Sequence, residues 1–149
     1  MHTLDVSETI SAPIDRVWST VSDLPSWPET ISAIDSVRVR TDGPVGAGTV
    51  FTEVRTFGGR EASETMTVAE FEPPRRMVFA AESRGMRYRS TQSLEEIEPG
   101  VTRVTIEFAS EPTSLVARLV GAVMWPMMKK HAERCLADDL KDVKRAVEG

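Results

Sequence analysis

His131 and Cys135 stand four residues apart in a stretch with helical periodicity, so their side chains share one helical face. That spacing suits a cysteine nucleophile with its base, or half of a metal site. A structural zinc site needs about four ligands and a catalytic one three, yet the only other histidine is His2 at the terminus. Nothing in the sequence marks an acidic partner or oxyanion donors. We therefore expect no metal and no cofactor, and His131 is either a polar group near a cavity or a plain surface residue.

Two further residues could act as an acid or a base. Glu8 is the carboxylate on the apolar face of the first predicted strand, and Tyr88 lies on the inward face of a later strand. An unpaired buried carboxylate is costly, so we expect Glu8 to pair across the sheet with Tyr88 or Arg55. Left unpaired, Glu8 would be a general base. The alternative is that a bulge or strand end turns it to solvent.

Arginines make one predicted hairpin basic. They are Arg75, Arg76, Arg84, Arg87 and Arg89. Such a hairpin could contact RNA or an acidic partner, but two or three outward arginines per strand also form an ordinary solvated face, which we favour. The formal net charge of −5 argues against a nucleic-acid surface as well. We expect no nucleic-acid partner.

The composition fits one globular domain over residues 1–149. The chain is 40% hydrophobic and 28% charged, and a chain of this size supports a single core. One cysteine and no signal-peptide pattern make the cytoplasm the expected location. The most apolar window, Leu115 to Met128, is about 14 residues long, short of the ~20 that cross a bilayer. We expect no membrane span, and a monomer or weak homodimer.

The order of elements is a strand, two short helices, six strands and a long helix. Thr3 to Ser11 alternates as a half-buried strand does, a helix runs from Pro13 to about Asp23, and a second short segment ends near Ile34. From Asp35 to Ser110 the period is two, and turn residues recur at hairpin spacing. These turns are Asp42-Gly43-Pro44, Gly58-Gly59, Glu72-Pro73-Pro74, Ser83-Arg84-Gly85 and Glu98-Pro99-Gly100. Connections this short predict a seven-stranded antiparallel sheet.

The last helix, Thr113 to Glu148, changes its apolar face midway. At ~100° per residue, one apolar stripe precedes Pro126 and another, on nearly the opposite side, follows it. The first comprises Val116, Leu119, Val120, Val123 and Met127; the second comprises Leu136, Leu140, Val143 and Val147. No straight helix buries both. We therefore expect a break or bend at Pro126, which places the first half over a cavity mouth or against the small helices.

A cavity is indicated by the strand from Met86 to Ile97, whose inward face carries Tyr88, Ser90 and Gln92 among apolar residues. Buried polar groups need partners, which water or a ligand supplies. The alternative is a strand at the barrel end whose polar residues reach solvent. The predicted cavity residues are Trp27, Phe51, Met66, Phe79, Met86, Tyr88, Ser90, Gln92, Ile106, Met124, Met127 and Met128.

Several short motifs, in order along essentially the whole chain, resemble the START-like (SRPBCC) superfamily, and within it the bacterial polyketide cyclase/dehydrase-type members. The motifs are Ala12-Pro13 with Val17-Trp18, Trp27, Gly46-x-Gly48-Thr49, Phe71-Glu72-Pro73-Pro74-Arg75, Gly100-x-Thr102-Arg103-Val104 and Asp139-Leu140-x-x-Val143-Lys144. The resemblance implies an α+β helix-grip fold, with a curved sheet around the last helix and a deep apolar cavity between them. These motifs are structural and carry no reaction, so function stays open.

Three functions compete at this point. The first is a carrier or sensor that binds an apolar or aromatic small molecule, such as a lipid, polyketide or quinone. The second is a polyketide cyclase or dehydratase in which Glu8, Tyr88 or His131 would be the acid or base. The third is a toxin-like or ribosome-associated role that uses the basic hairpin. The absence of a recognisable catalytic set favours the first.

Overall fold

A computed structural model describes residues 1–149, apart from the side chain of Phe57. The strands are β1 (His2–Ile10), β2 (Ile34–Val39), β3 (Val50–Phe57), β4 (Arg60–Glu72), β5 (Arg76–Ser83), β6 (Met86–Glu98) and β7 (Val101–Pro112). The helices are α1 (Ile14–Val21), α2 (Trp27–Thr30) and α3 (Leu115–Glu148). This is the expected order of elements.

The seven strands form one antiparallel sheet in the order β1-β7-β6-β5-β4-β3-β2. Each of the five predicted turns connects two neighbouring strands, so β2 to β7 follow one another as hairpins, and β1 closes the order beside β7. The register shifts within β2, β4 and β6, and such bulges bend and twist a strand. The sheet curves around α3, which confirms the expected helix-grip architecture.

Two prolines fix the boundaries of the small helices. Pro13 precedes α1 with an extended backbone, and Pro25 lies in the 3₁₀ turn Leu24–Ser26 that separates α1 from α2. The indole Nε1 of Trp27 donates a hydrogen bond to the carbonyl of Val21, 3.1 Å away and buried. That bond fixes the ring of Trp27 against the end of α1, where it faces the sheet.

The helix α3 is continuous from Leu115 to Glu148, with Pro126 inside it. The expected break at Pro126 is therefore wrong, whereas a bend of the axis there stays a prediction. The two apolar stripes do not share the core: only the second is buried, while the first lies exposed. No helix in the described part of the chain is both long and apolar enough to span a bilayer.

A different set of side chains in the first half of α3 faces the sheet. These are small residues and one tryptophan, namely Ala117, Gly121, Trp125 and Ala132, and all are at least partly buried. They continue at intervals of three, four or seven residues into Leu136, Leu140, Val143 and Val147, so these residues share one face along the helix. The helix approaches the sheet closely at Ala117: a Cβ built on Gly85, in the β5–β6 turn, would lie 3.2 Å from the Cβ of Ala117. A leucine or valine at position 117 would crowd that turn, so a small residue fits there.

The two halves of α3 are held differently. The carboxyl half is tied to β1, because the Nζ of Lys144 donates to the carbonyl of Thr9 over 2.7 Å and the amide of Ser11 donates to Glu148 over 2.8 Å. The amino half has a capping hydrogen bond, in which Ser114 Oγ accepts from the amide of Ala117, and a stacked contact between Trp125 and His2 at 4.7 Å. Side chains of the carboxyl half therefore hold the more fixed positions.

A matched pair of glycine variants tests how closely α3 approaches the sheet. Gly85 and Gly43 both have positive φ, +77° and +87°, but a Cβ on Gly43 meets nothing within 4 Å. We expect Gly43→Ala to lower the free energy of unfolding by about 1 kcal/mol, the cost of the left-handed backbone. Gly85→Ala should lose about 1 kcal/mol more, because it also crowds Ala117. If urea denaturation shows that both variants lower the free energy of unfolding equally, α3 moves to accommodate the added methyl group at this contact.

Candidate functional site

Three adjoining hollows lie along the inward face of the described sheet, and residues of α3 line the first and the third. The main hollow has a volume of about 320 Å³ and lies beneath the carboxyl half of the helix. A second, of about 300 Å³, shares Glu64, Ser90 and Phe108 with the first. A third, of about 190 Å³, lies beneath the amino half and shares Tyr88 and Phe108 with the second. The second hollow therefore lies between the other two and is lined mainly by sheet residues.

The wall of the main hollow is largely apolar. It contains Trp27, Met66, Phe79, Ile106 and Leu140, among others. Trp27 and Phe79 meet edge to face with ring centroids 5.6 Å apart, an arrangement that aromatic rings favour. Their mutual packing gives the hollow a firm aromatic side.

One end of the main hollow carries a charged cluster of Glu53, Arg55 and Asp139. Arg55 Nε donates to Glu53 Oε1 over 2.7 Å, and Arg55 Nη1 lies 3.0 Å from Asp139 Oδ2. All three side chains are largely buried. Glu53 and Arg55 come from β3 and Asp139 from α3, so the cluster joins the sheet to the fixed half of the helix.

Burial sets the protonation of this cluster. Desolvation raises the pKa of Asp139 to about 6, although the charge and hydrogen bond of Arg55 oppose the shift. Desolvation alone would lower the pKa of Arg55, but the charges and hydrogen bonds of Glu53 and Asp139 outweigh it and raise that pKa. The guanidinium is therefore always charged, while Asp139 exchanges a proton near neutral pH.

A second polar group lies farther along the hollows. Glu64 lines the first and second hollows, and its pKa is raised by desolvation against the opposing charge of Arg84. Tyr88 stacks on Phe108 with ring centroids 5.7 Å apart, and burial raises the pKa of its hydroxyl. The space beneath α3 therefore offers hydrogen-bonding groups at one end and in the middle.

Most of the residues predicted to line a cavity lie at these hollows. Trp27, Met66, Phe79, Ser90, Gln92 and Ile106 line the main one; Met86, Tyr88 and Met128 line the third. Phe51 is fully buried behind this wall, where it meets Trp27 and Phe79 edge to face. The inward face of β6, which carries Tyr88, Ser90 and Gln92, borders all three hollows.

Two of the methionines predicted to line the cavity, and the acid–base candidate Glu8, lie outside the hollows. Met124 and Met127 are exposed on the outer face of α3, because the small residues of that helix occupy its inner face. Glu8 is half-buried beside Val104 of β7, and the hollows lie apart from it. The expected partner Arg55 instead binds Glu53 and Asp139.

His131 is exposed on α3, away from the hollows. Its Nε2 lies 3.7 Å from the Sγ of Cys135, as the spacing of four residues allows. Burial raises the pKa of the Cys135 thiol, which disfavours the thiolate that a nucleophile needs.

The charged cluster is the part of the site that sequence reasoning missed. Glu53 and Arg55 share an inward face with Phe51, but both faces of β3 mix polar and apolar residues, so alternation does not show which face points inward. Asp139 carried the clearer signal, since it lies within the buried stripe that contains Leu136, Leu140 and Val143. A carboxylate inside an apolar stripe needs a buried cation, and β3 supplies one.

Three of the five arginines of the basic hairpin form ion pairs with neighbouring carboxylates, whereas Arg84 lines the second and third hollows. Arg76 and Arg89 both pair with Glu70, and Arg87 pairs with Glu82, on the outward face of the sheet. This arrangement is a solvated, ion-paired surface.

The sequence model of the family described as "Polyketide cyclase / dehydrase and lipid transport" matches residues 1–148. The chain belongs to this family. The match spans every element from β1 to α3, so the resemblance seen in the short motifs is confirmed over the whole fold. No curated protein matches the sequence.

Solved structures share the fold of this family member at low identity. Protein TTHA0849 from Thermus thermophilus is 21% identical, with a TM-score of 0.79 over 98% of this chain and 97% of that one. A START superfamily protein from Mycobacterium smegmatis is 16% identical, with a TM-score of 0.80 over 99% and 98%. The Zhui aromatase/cyclase from a Streptomyces species is 16% identical, with a TM-score of 0.78 over 99% and 93%. At these identities the likeness shows the fold alone.

Proposed function

We propose that the protein binds an apolar or aromatic small molecule in the hollows beneath α3, as a carrier or sensor. The observation that supports this proposal is the main hollow, whose aromatic and aliphatic wall ends at one buried charged cluster. A mostly apolar cavity with a few convergent polar groups is the usual form of a ligand site. The body of the ligand would lie against Trp27 and Phe79, with its polar end at Arg55 and Asp139.

The charges around the main hollow narrow the ligand class. Its lining has three carboxylates, Glu53, Glu64 and Asp139, against the single guanidinium of Arg55. That guanidinium already binds two of the carboxylates. An ionised acid would lose its hydration beside excess negative charge, whereas a hydroxyl can donate to a carboxylate oxygen that still has a free lone pair. We therefore propose a neutral, hydroxyl-bearing polar end.

Matched ligands of one shape test this proposal. At pH 8, 2-naphthol should bind about tenfold more tightly than 2-naphthoate, a difference of about 1.4 kcal/mol, in isothermal titration calorimetry. The variant Phe79→Ala should weaken both ligands, because it removes part of the aromatic wall. If neither compound nor a larger aromatic alcohol binds, the binding function is wrong. If the naphthoate binds as well as the naphthol, only the inferred ligand class is wrong.

The second candidate function is a cyclase or dehydratase, and the pKa of Asp139, about 6, favours it. A group that exchanges its proton near neutral pH is suited to acid–base catalysis. In a dehydration, Asp139 would take a proton from the carbon next to a carbonyl and return it to the departing hydroxide, so that water is lost. Arg55 would hold the carbonyl oxygen. Formation of a dehydrated product from a β-hydroxyketone, abolished in Asp139→Asn, is the measurement that would establish this activity.

A further inference from the structure

The outer face of the first half of α3 is an exposed apolar stripe. Its centre is formed by Val116, Val120, Val123 and Met127, whose exposed fractions are 72%, 57%, 79% and 71%. Leu115, Leu119 and Met124 flank it and are exposed as well. We call these seven residues the outer stripe.

The area of the outer stripe is that of a protein interface. Seven large side chains with these exposures present on the order of 800 Å² of apolar surface, about what one partner contributes to a standard interface. The largest apolar patch of a typical monomer is about 300–600 Å², so a free surface of this size is unusual. Burying it would stabilise an assembly considerably.

The spacing within the outer stripe fits a paired helix. Val116, Val120, Val123 and Met127 follow one another at intervals of four, three and four residues, which is a two-heptad seam. The same repeat continues at Lys130 and Arg134, so the apolar seam ends there. Charged residues at those positions limit the contact to the first half of α3.

We infer that the outer stripe binds the outer stripe of a second copy of this chain, with the two α3 helices antiparallel about a two-fold axis. In an antiparallel pair, the axis passes between Val120 and Val123. Val120 then meets Val123 of the second copy, and Val116 meets Met127 of the second copy, so both pairs fit one register. A two-fold interface requires this kind of self-complementarity.

The charge of the chain favours a second copy over a lipid surface. A helix that lies on a membrane usually adds basic residues that attract anionic lipids. Here the stripe contains no charged residue, and Lys129 is paired with Glu133. Arg118 lies on the opposite side of the helix from the seam, so Lys130 and Arg134 place basic charge at one end of the stripe only. The whole chain has a formal charge of −5. Repulsion from an anionic bilayer opposes docking there.

Complementary charges in the seam test both the dimer and its register. We expect sedimentation velocity to show a concentration-dependent dimer for the unaltered chain. Val120→Lys and Val123→Glu should each be monomeric, with the dimer dissociation constant raised by about 100-fold or more, because each places two charges against valine. Mixing the two variants should restore a dimer, since it contains one Lys–Glu pair and one Val–Val pair. Both positions are exposed and helical, so the fold is retained.

Ala122→Lys provides the matched control, because this exposed residue lies on the same helix but off the seam. It should dimerise like the unaltered chain. A chain that stays monomeric at all concentrations would overturn the inference, as would single variants that dimerise normally. A monomeric mixture would overturn the proposed register. Binding of the monomer to vesicles of phosphatidylcholine and phosphatidylglycerol would assign the stripe to a membrane instead.

Discussion

Replacing Arg55 with leucine is expected to lower the free energy of unfolding at pH 8 by about 3–5 kcal/mol, because it leaves two buried carboxylates without a cation. Arg55 is hydrogen bonded to both Glu53 and Asp139, and all three side chains are largely buried. Once the guanidinium is gone, the two carboxylates repel each other in a poorly solvated space. Urea denaturation at pH 8 measures this loss directly.

The loss should shrink as the pH falls to about 5, since carboxylates without a cation take up protons more readily. A variant that neutralises the whole cluster, Glu53→Gln with Arg55→Leu and Asp139→Asn, should recover most of the stability, because no charge then remains buried. A loss below about 1 kcal/mol for Arg55→Leu alone would show that water reaches the cluster and screens it.

Asp139→Asn should show the second large effect, as a change with pH. The pKa of Asp139 is about 6 in the folded chain, above the ordinary value near 3.9 of an unfolded one. The folded state therefore binds the proton more tightly, and the unaltered protein loses stability as the pH rises from about 4 to 7. Two pKa units correspond to about 3 kcal/mol. Relative to Asp139→Asn, the unaltered chain should lose about that amount between pH 4 and pH 8.

The comparison between the two proteins cancels the titration of groups distant from Asp139, so the difference reports Asp139 together with the charges coupled to it. Asp138→Asn is the matched control, because it removes the same charge from the exposed neighbouring position. Its effect on the free energy of unfolding should stay within about 0.5 kcal/mol. A constant difference between Asp139→Asn and the unaltered chain at all pH values would contradict the raised pKa.

The sheet could be predicted from sequence because its signals are local. Turn residues such as Gly58-Gly59 and Glu98-Pro99-Gly100 fix where each hairpin ends, and alternation fixes which side chains share a face. The inward polar residues Ser90 and Gln92 follow from that alternation. Each of these inferences needs only a few neighbouring residues.

The packing of α3 was not predictable in the same way. The rule that large apolar residues are buried placed Val116 and Val123 over a cavity mouth or against the small helices, but the closeness of Gly85 to Ala117 is set by the tertiary fold. Small residues then occupy the inner face, and Pro126 lies inside an unbroken helix. The Arg55–Asp139 pair is also tertiary, since 84 residues separate its members. Sequence indicated a polar space under the helix without revealing which charges meet there.

The positions of the three tryptophans have an optical consequence. Trp27 lies in the wall of the main hollow, Trp125 lines the hollow at the opposite end, and Trp18 packs on Phe71. Indole emission shifts in wavelength and intensity when its surroundings change. A variant that keeps only Trp27 reports on the main hollow, and a variant that keeps only Trp125 reports on the third. In stopped-flow recordings, the one that responds first identifies the end by which a molecule arrives.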